Sequence, residues 1–421
     1  MPADSENGWR QVKLKDVCRE ITVGHVGPMA SEYVEEGIPF FRSQNIQPFR
    51  VDLTDIKYIR PKFHQKLRKS AVSPGDVLVV RTGYPGTACV LPKDVPIANC
   101  ADLVIIRPSP DLDPWFLASL FNSAWGRGTV SGSLVGVAQQ HFNIGVAREM
   151  VITLPPISTQ RKVTSMLSAY DDLIENNTRR IKILEEMARA IYREWFVHFR
   201  FPGHEKVKKV DSSLGEIPEG WEAKMLGDLA QEMRLSIKPD EIDPETPYFG
   251  LEHLPRRSIA LSEWETAKDV QSTKLAFKEG DILFGKIRPY FHKVGIAPLN
   301  GVCSSDTIVI RSKAPEYFAV VLCCVSSDAF VAHATQTSQG TKMPRANWHV
   351  LSKHPIALPQ AHLLWQFNGF VEEIVAQIHT TIFRNRVLRR TRDLLLPKLI
   401  SGEIDVGTKN GQSAAVAMRL A

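Results

Sequence analysis

The 421-residue chain has no uninterrupted apolar run of 18 residues, so nothing in it predicts a membrane-spanning helix. Cysteine is scarce. The six residues (Cys18, Cys89, Cys100, Cys303, Cys323 and Cys324) form no Cys-x-x-Cys pair and have no histidine at ligand spacing. That pattern disfavours a zinc site or a disulfide framework and predicts reduced thiols, as in a cytoplasm. Charge of one sign does not dominate either. The net formal charge is +6, mild enough to permit nucleic-acid contact through local patches without demanding it. The first seven residues, Met1 to Asn7, are polar and acidic and do not read as a signal peptide.

Motifs for chemistry are also missing. Methyl transfer to a base amino group needs an Asn/Asp-Pro-Pro-aromatic loop and a glycine-rich cofactor turn after a strand; neither is found. Gly280-x-x-x-x-Gly285-Lys286 satisfies most of a phosphate-binding loop. It is followed by Ile287, not by a hydroxyl that would hold Mg²⁺, and its interior Asp281-Ile282-Leu283-Phe284 is strand-like. Asp171-Asp172 reads as a solvated helix face. His349, His354 and His362 show no ligand spacing, so no metal site is expected.

What is present is said twice. Residues 69–78, ending in Gly75-Asp76-Val77-Leu78, recur at 274–283, ending in Gly280-Asp281-Ile282-Leu283. Ala101 to Arg107 recurs as Ser305 to Arg311, and Ile152-Thr153-Leu154-Pro155 as Ile356-Ala357-Leu358-Pro359. Gly8-Trp9 and Gly220-Trp221 open the two halves. A repeat of about 200 residues is too long for a solenoid unit and implies a duplicated domain. Two similar domains can present similar surfaces to a partner of near two-fold symmetry, and duplex DNA is one such partner.

Short β-branched runs such as Val77–Val80 and Leu103–Ile106 predict strands, and Pro114 to Phe121 a short helix. After Pro155-Pro156, Ser158-Thr159-Gln160-Arg161 signals a long helix. Tyr170, Ile174, Asn177, Ile181, Leu184, Ala188, Ile191 and Trp195 step by alternating fours and threes, as a coiled-coil seam does. The seam recurs at Ile374, Ile378, Thr381, Asn385, Leu388, Arg392 and Leu395, diluted by Thr381, Asn385 and Arg392. Pro397 should end that second helix near Leu396.

This order resembles the specificity (DNA-recognition) subunit of a type I restriction–modification system. The resemblance covers residues 9 to about 405. Leu154-Pro155-Pro156 followed by Gln160-Arg161-Lys162-Val163 looks like the family's start of its central helix, and Leu394 to Ile404 like the ending of its distal helix. Gly280 to Tyr290 looks like a recurrent segment of its target-recognition domains. Pro359-Gln360-Ala361-His362 departs from the pattern by lacking the Gln-Arg/Lys run.

The resemblance implies an α+β fold. Two pseudo-repeated mixed α/β target-recognition domains are each followed by a long helix, and the helices pair as an antiparallel coiled coil. The expected segments are a first domain over 1–157, a central helix over 158–200, a linker and second domain over 201–360, a distal helix over 361–405 and a flexible tail over 406–421. It further implies a chain without catalysis of its own and without a bound cofactor. Such a chain reads a bipartite site on double-stranded DNA, holds two modification subunits that methylate adenine with S-adenosylmethionine, and is joined by restriction subunits. No membrane is involved.

Base edges are read mostly by Arg, Lys, Asn and Gln exposed on loops. In the first half these cluster at Arg42, Gln44 and Asn45; at Arg81 and Tyr84; and at Gln139, Gln140, His141 and Asn143. The counterparts in the second half are His253; Lys286, Arg288, Tyr290 and Lys293; and Thr341, Lys342, Arg345 and Asn347. They agree in place and differ in residue, as two domains reading different half-sites should. Two other readings stay open on the residues alone: a self-contained DNA methyltransferase or nuclease with atypical motifs, and a coiled-coil scaffold that does not touch DNA.

Overall fold

In a computed structural model describing residues 8–132, 142–404 and 406, the repeated Gly-Asp segments form one device twice. Gly75 (φ 90°) and Gly280 (φ 84°) adopt a left-handed conformation that favours glycine. The following aspartates close the turns: Asp76 Oδ2 accepts from Ser73 N at 3.0 Å and Asp281 Oδ2 from Lys278 N at 2.7 Å. Each aspartate also meets the arginine that ends the other repeated segment. Asp281 takes two hydrogen bonds from Arg311, at 2.6 and 2.7 Å, and Asp76 lies 3.4 Å from Arg107 Nε. The buried strands Val77–Val80 and Ile282–Gly285 follow directly. Residues 280–286 are therefore a turn and a buried strand, with no open phosphate-binding loop.

The chain divides into two compact units, Met1–Leu173 with Val387–Ala421, and Ile174–Arg386. In the first, an antiparallel four-stranded sheet runs in the order Ala88–Val90, Val77–Val80, Leu103–Pro108, Cys18–Val23. A five-stranded sheet beside it contains one parallel pair, Ile38–Phe41 with Ala98–Cys100. The second unit repeats both. Its four strands are Val294–Ile296, Ile282–Gly285, Thr307–Ser312 and Ala230–Met233, and its parallel pair is Pro247–Phe249 with Gly301–Cys303. In each unit a small two-stranded ladder joins the Gly-Trp end to the strand before the long helix: Arg10–Lys13 with Val151–Leu154, and Glu222–Met225 with Pro355–Leu358.

Side chains alternate across a strand, so one strand feeds two cores. Val77, Val79, Val104 and Ile106 pack with Phe116, Phe121 and Phe142, while Leu78, Val80, Leu103 and Ile105 enter a separate cluster with Phe41 and Val72. Burial on both faces is why these strands read as continuous apolar runs.

The central helix is α-helical over Ile157–Tyr192 and continues as a π-helical turn, Arg193–Val197. The distal helix spans Ala361–Ser401. In the first unit, Val163 and Leu167 share a core with Leu396, Leu399 and Ile400, and Asp171 Oδ1 accepts from Arg392 Nη1 at 2.5 Å. In the second unit, Asn177 meets Asn385, Arg180 Nη2 donates to Gln377 Oε1 at 3.0 Å, and Trp195 lies 5.7 Å from the Phe367 ring. Rising numbers on one helix meet falling numbers on the other, so the pair is antiparallel.

Three expectations change. Pro397 does not end the distal helix, which continues to Ser401. The lost backbone hydrogen bond is offset there because Leu396, Leu399 and Ile400 are all buried in the first unit's core. The linker expected at the start of 201–360 is folded, because Phe201 and Ile217 are buried and Lys209–Ser212 pairs with Gly215–Pro218. Finally, Gln160, placed in the capping signal, is fully buried; it donates to the Asp111 and Pro155 carbonyls and accepts from Asp113 N. The tail from Gly407 onward lies outside the described residues.

The Gly-Trp repeats also have a physical role. Trp221 packs among Phe196, Phe199 and Phe201 at the end of the central helix, edge to face with the first two and tilted to the third, with centroid distances of 5.6, 5.4 and 5.1 Å. Gly402 (φ 79°), at the end of the distal helix, sits against the Trp9 ring. The six cysteines are unpaired thiols, and burial pushes Cys89, Cys303, Cys323 and Cys324 up to about 12. Among the described residues no single helix is long and apolar enough to cross a membrane, and no cluster fit for a metal occurs.

Candidate nucleic-acid interface

In the second unit backbone hydrogen bonds tie two of the three expected loop regions together, and a lysine side chain joins the third. Ala346 N donates to Lys286 O at 2.9 Å, Arg288 N to Pro344 O at 2.7 Å, and Lys286 N to Asp306 O at 2.8 Å. Lys293 Nζ donates to Leu251 O, which brings in the first region beside His253. The strand Ile282–Gly285 delivers this loop, and a helical turn at Pro289–Phe291 flanked by Arg288 (φ 49°) and His292 (φ 52°) bends it back. Left-handed conformations at non-glycine residues are uncommon and cluster at functional loops. Tyr290 is half exposed at the tip, and Arg256 lies over the Phe291 ring at 4.2 Å. Thr341 and Lys342 are exposed, and Arg345 is half exposed, 3.5 Å from Asp306. A cleft of about 340 Å³ opens between them, walled by Glu232, Arg234, Lys286, Gln339, Arg345 and Trp348.

The first unit builds the same frame. Arg81 Nη1 donates to Asp102 Oδ1 at 2.5 Å and its Nε to Phe142 O at 3.1 Å, while Phe142 N donates back to Arg81 O at 3.3 Å. Thr82 Oγ1 adds a bond to Asp102 Oδ2 at 3.2 Å. Tyr84 stands 84% exposed in the turn between Gly83 and Gly86, both of positive φ. Arg42 and Gln44 both donate to Asp55 Oδ2, at 3.3 and 2.8 Å. Arg42 first, and then Lys57, hold the Asp55 carboxyl below its usual range. Gln139, Gln140 and His141 lie outside the described residues.

Several expected readers have framework roles. Asn45 is buried; its amide donates to the Asp52 and Asp55 carbonyls and its oxygen accepts from Arg42 N. Asn143 caps the helix Ile144–Glu149 by accepting from Val146 N, and Asn347 caps Trp348–Leu351 by accepting from His349 N. These two are the same residue in the same place in both halves, which a reader of two different half-sites would not be. His253 Nδ1 accepts from Gly250 N, and Lys293 is half buried, its burial lowering its pKa. Exposed or half-exposed side chains remain at Gln44, Tyr84, Tyr290, Thr341, Lys342 and Arg345, with Arg81, Lys286 and Arg288 intermediate.

The sequence reading missed Glu232, Arg234, Arg256, and the paired anchors Asp102 and Asp306. The aspartates carried a signal, since both lie in the repeated Ala101–Arg107 and Ser305–Arg311 segments, and Arg256 stands in an Arg-Arg doublet. Arg234 had none; only folding brings it to the cleft.

None of the seam positions is exposed. Ile181, Leu184, Ala188, Trp195, Ile374, Ile378, Thr381 and Asn385 are buried, and Tyr170, Ile174, Asn177, Ile191, Leu388, Arg392 and Leu395 are intermediate. Thr381 turns its hydroxyl to Gln377 O at 2.6 Å, which lets a polar residue lie buried in the seam.

No family model matches the sequence. Among curated proteins, the chain is 28% identical over 267 residues to the type I restriction enzyme MjaIX specificity subunit of Methanocaldococcus jannaschii, covering 62% of each chain. The match thus spans about three fifths of that relative's length. It is 26% identical over 422 residues to the MjaVIII specificity subunit of the same organism, covering 96% of this chain and 94% of that one. Among solved structures, the type I restriction–modification S subunit from M. genitalium shares the fold, with TM-score 0.55 at 13% identity over 95% of this chain and 98% of that one. The chain is a homologue of the type I restriction enzyme specificity subunits.

Proposed function

We propose that this chain is the non-catalytic DNA-recognition subunit of a type I restriction–modification complex. Each domain reads one half of a bipartite site on duplex DNA. The assembly holds two modification subunits, which supply the S-adenosylmethionine and methylate adenine, and restriction subunits complete the complex. The observation that carries this reading is a frame used twice with different contents. Asp102 holds Arg81 through its carboxylate and Asp306 holds the equivalent Lys286 N through its backbone carbonyl, and Asn143 and Asn347 cap the same helix. Among the described residues the charged groups offered from that frame differ, Arg81 in one domain and Lys286, Lys342 and Arg345 in the other, while a tyrosine stands in the loop of each, Tyr84 and Tyr290. A common scaffold with exchanged donors is what two distinct half-sites require.

The test is to co-express the chain with a modification subunit and map methylated adenines in cellular DNA. A bipartite motif that disappears when the chain is omitted is the expected result. The purified chain alone, given labelled S-adenosylmethionine and duplex DNA, should transfer nothing. Turnover by the chain alone, or methylation indifferent to its presence, would overturn the proposal.

A further inference from the structure

Arg234 follows the strand Ala230–Met233 and lines the second unit's cleft. Its Nε donates to Glu232 Oε2 at 2.7 Å. The carboxylate is nearly covered, with 12% of its side chain exposed, whereas 71% of the arginine side chain is exposed. The inner nitrogen is thus anchored, and the two terminal nitrogens have no protein partner among the described residues. A guanidinium held in this way presents parallel N–H donors in a fixed plane, the arrangement that fits O6 and N7 of guanine.

Comparison with the first unit shows that the pair is not scaffold. Glu232 is registered against Ile310, and in the first unit Ile106, the counterpart of Ile310, is registered against Ile21. Glu232 and Arg234 therefore stand where the first unit has Ile21 and Val23. Around them the anchor aspartate and the capping asparagine are shared by both units. A structural device would recur with the frame; this charged pair is present in one copy only. Lys286 and Arg345 line the same cleft and add positive charge to it, which favours a phosphate backbone nearby.

We infer that Arg234, braced by Glu232, is a specificity-determining residue that reads a guanine in the half-site bound by the second domain. The inference rests on the proposed function. The experiment compares wild type, Arg234→Ala and Arg234→Lys in the complex with modification subunits, by motif mapping and by salt-dependent binding to duplexes with each base pair at each half-site position. One guanine position should relax to any base, its preference falling about fivefold to a hundredfold. Arg234→Lys, which keeps the charge and loses the fork, should relax the same position, and the other half-site should be unchanged. An unaltered motif, or a uniform loss of binding across all sequences with a shallower salt slope, would overturn the inference while leaving the function standing. A wild-type complex that selects no sequence would overturn both. Arg234→Lys keeps a cation beside the nearly covered Glu232 and should keep the wild-type melting temperature, so its loss of preference is read free of any destabilisation by Arg234→Ala.

Discussion

Asn177 donates its side-chain amide to the Oδ1 of Asn385 at 2.8 Å, joining the central and distal helices in an otherwise largely apolar seam. Asn385 is buried, and its own amide lies 3.5 Å from Ile174 O. A polar pair in a seam costs stability relative to leucine but holds one register against its neighbours. Asn385→Leu alone leaves the Asn177 amide facing apolar surface and should lower stability by about 1–3 kcal/mol. Adding Asn177→Leu should restore much of that loss. Thermal unfolding of the two single variants and the double variant checks this; equal, additive losses would count against the pair.

Glu185 offers a second test. This buried carboxylate of the central helix accepts with one oxygen from Ser258 Oγ, Ile259 N and Ala260 N, at 2.6, 2.7 and 3.0 Å. It pins the loop that carries Arg256. Glu185→Ala takes the acceptor from the buried Ile259 N and from Ser258 Oγ, leaving Ala260 N its longer bond to Ser258 Oγ at 3.3 Å, and should cost about 2–3 kcal/mol, whereas Glu185→Gln keeps an acceptor and should cost about 1 kcal/mol. Chemical unfolding that gave equal losses for both would argue that the carboxylate does not hold the loop.

The third prediction concerns acid. Burial lowers His379 on the distal helix from 6.5 to about 4, and its Nε2 has no hydrogen-bond partner among the described residues. The unfolded chain takes up a proton below pH 6.5 that the folded chain refuses. Stability contributed by this site is therefore complete above pH 6.5 and is lost as pH falls toward 4, by about 3 kcal/mol at most. His379→Leu should flatten the decline in melting temperature between pH 7 and pH 4. A variant whose pH profile ran parallel to wild type would show that His379 does not contribute to it.

Asn347 separates a framework role from a reading role. Asn347→Ala should cost about 1 kcal/mol through loss of the helix cap, and Asn347→Asp should cost little. Neither should change the methylated motif. A shifted motif from Asn347→Asp at unchanged melting temperature would return this residue to the readers.

The duplication, the two long helices and their seam could be read in the sequence because they rest on local rules. A three-four apolar step follows from helix geometry, and Gly75 and Gly280 recur because their turn needs a positive φ. The family resemblance followed from the same repeated segments. The individual contacts were not legible, because what a polar side chain does depends on what the rest of the chain brings to it. Asn143 and Asn347 looked like base readers and are helix caps; Asn45 is buried in its own loop. Pro397 should have ended a helix by its backbone chemistry, yet burial of Leu396, Leu399 and Ile400 in the first unit carries the helix past it. Arg392, taken as a flaw in the seam, meets Asp171. Arg234 carried no sequence signal because its brace, Glu232, is an ordinary strand residue until the fold sets both on one cleft. Periodicity and turn chemistry act over a few neighbouring residues and so are written along the chain; burial and long-range pairing exist only once distant segments meet.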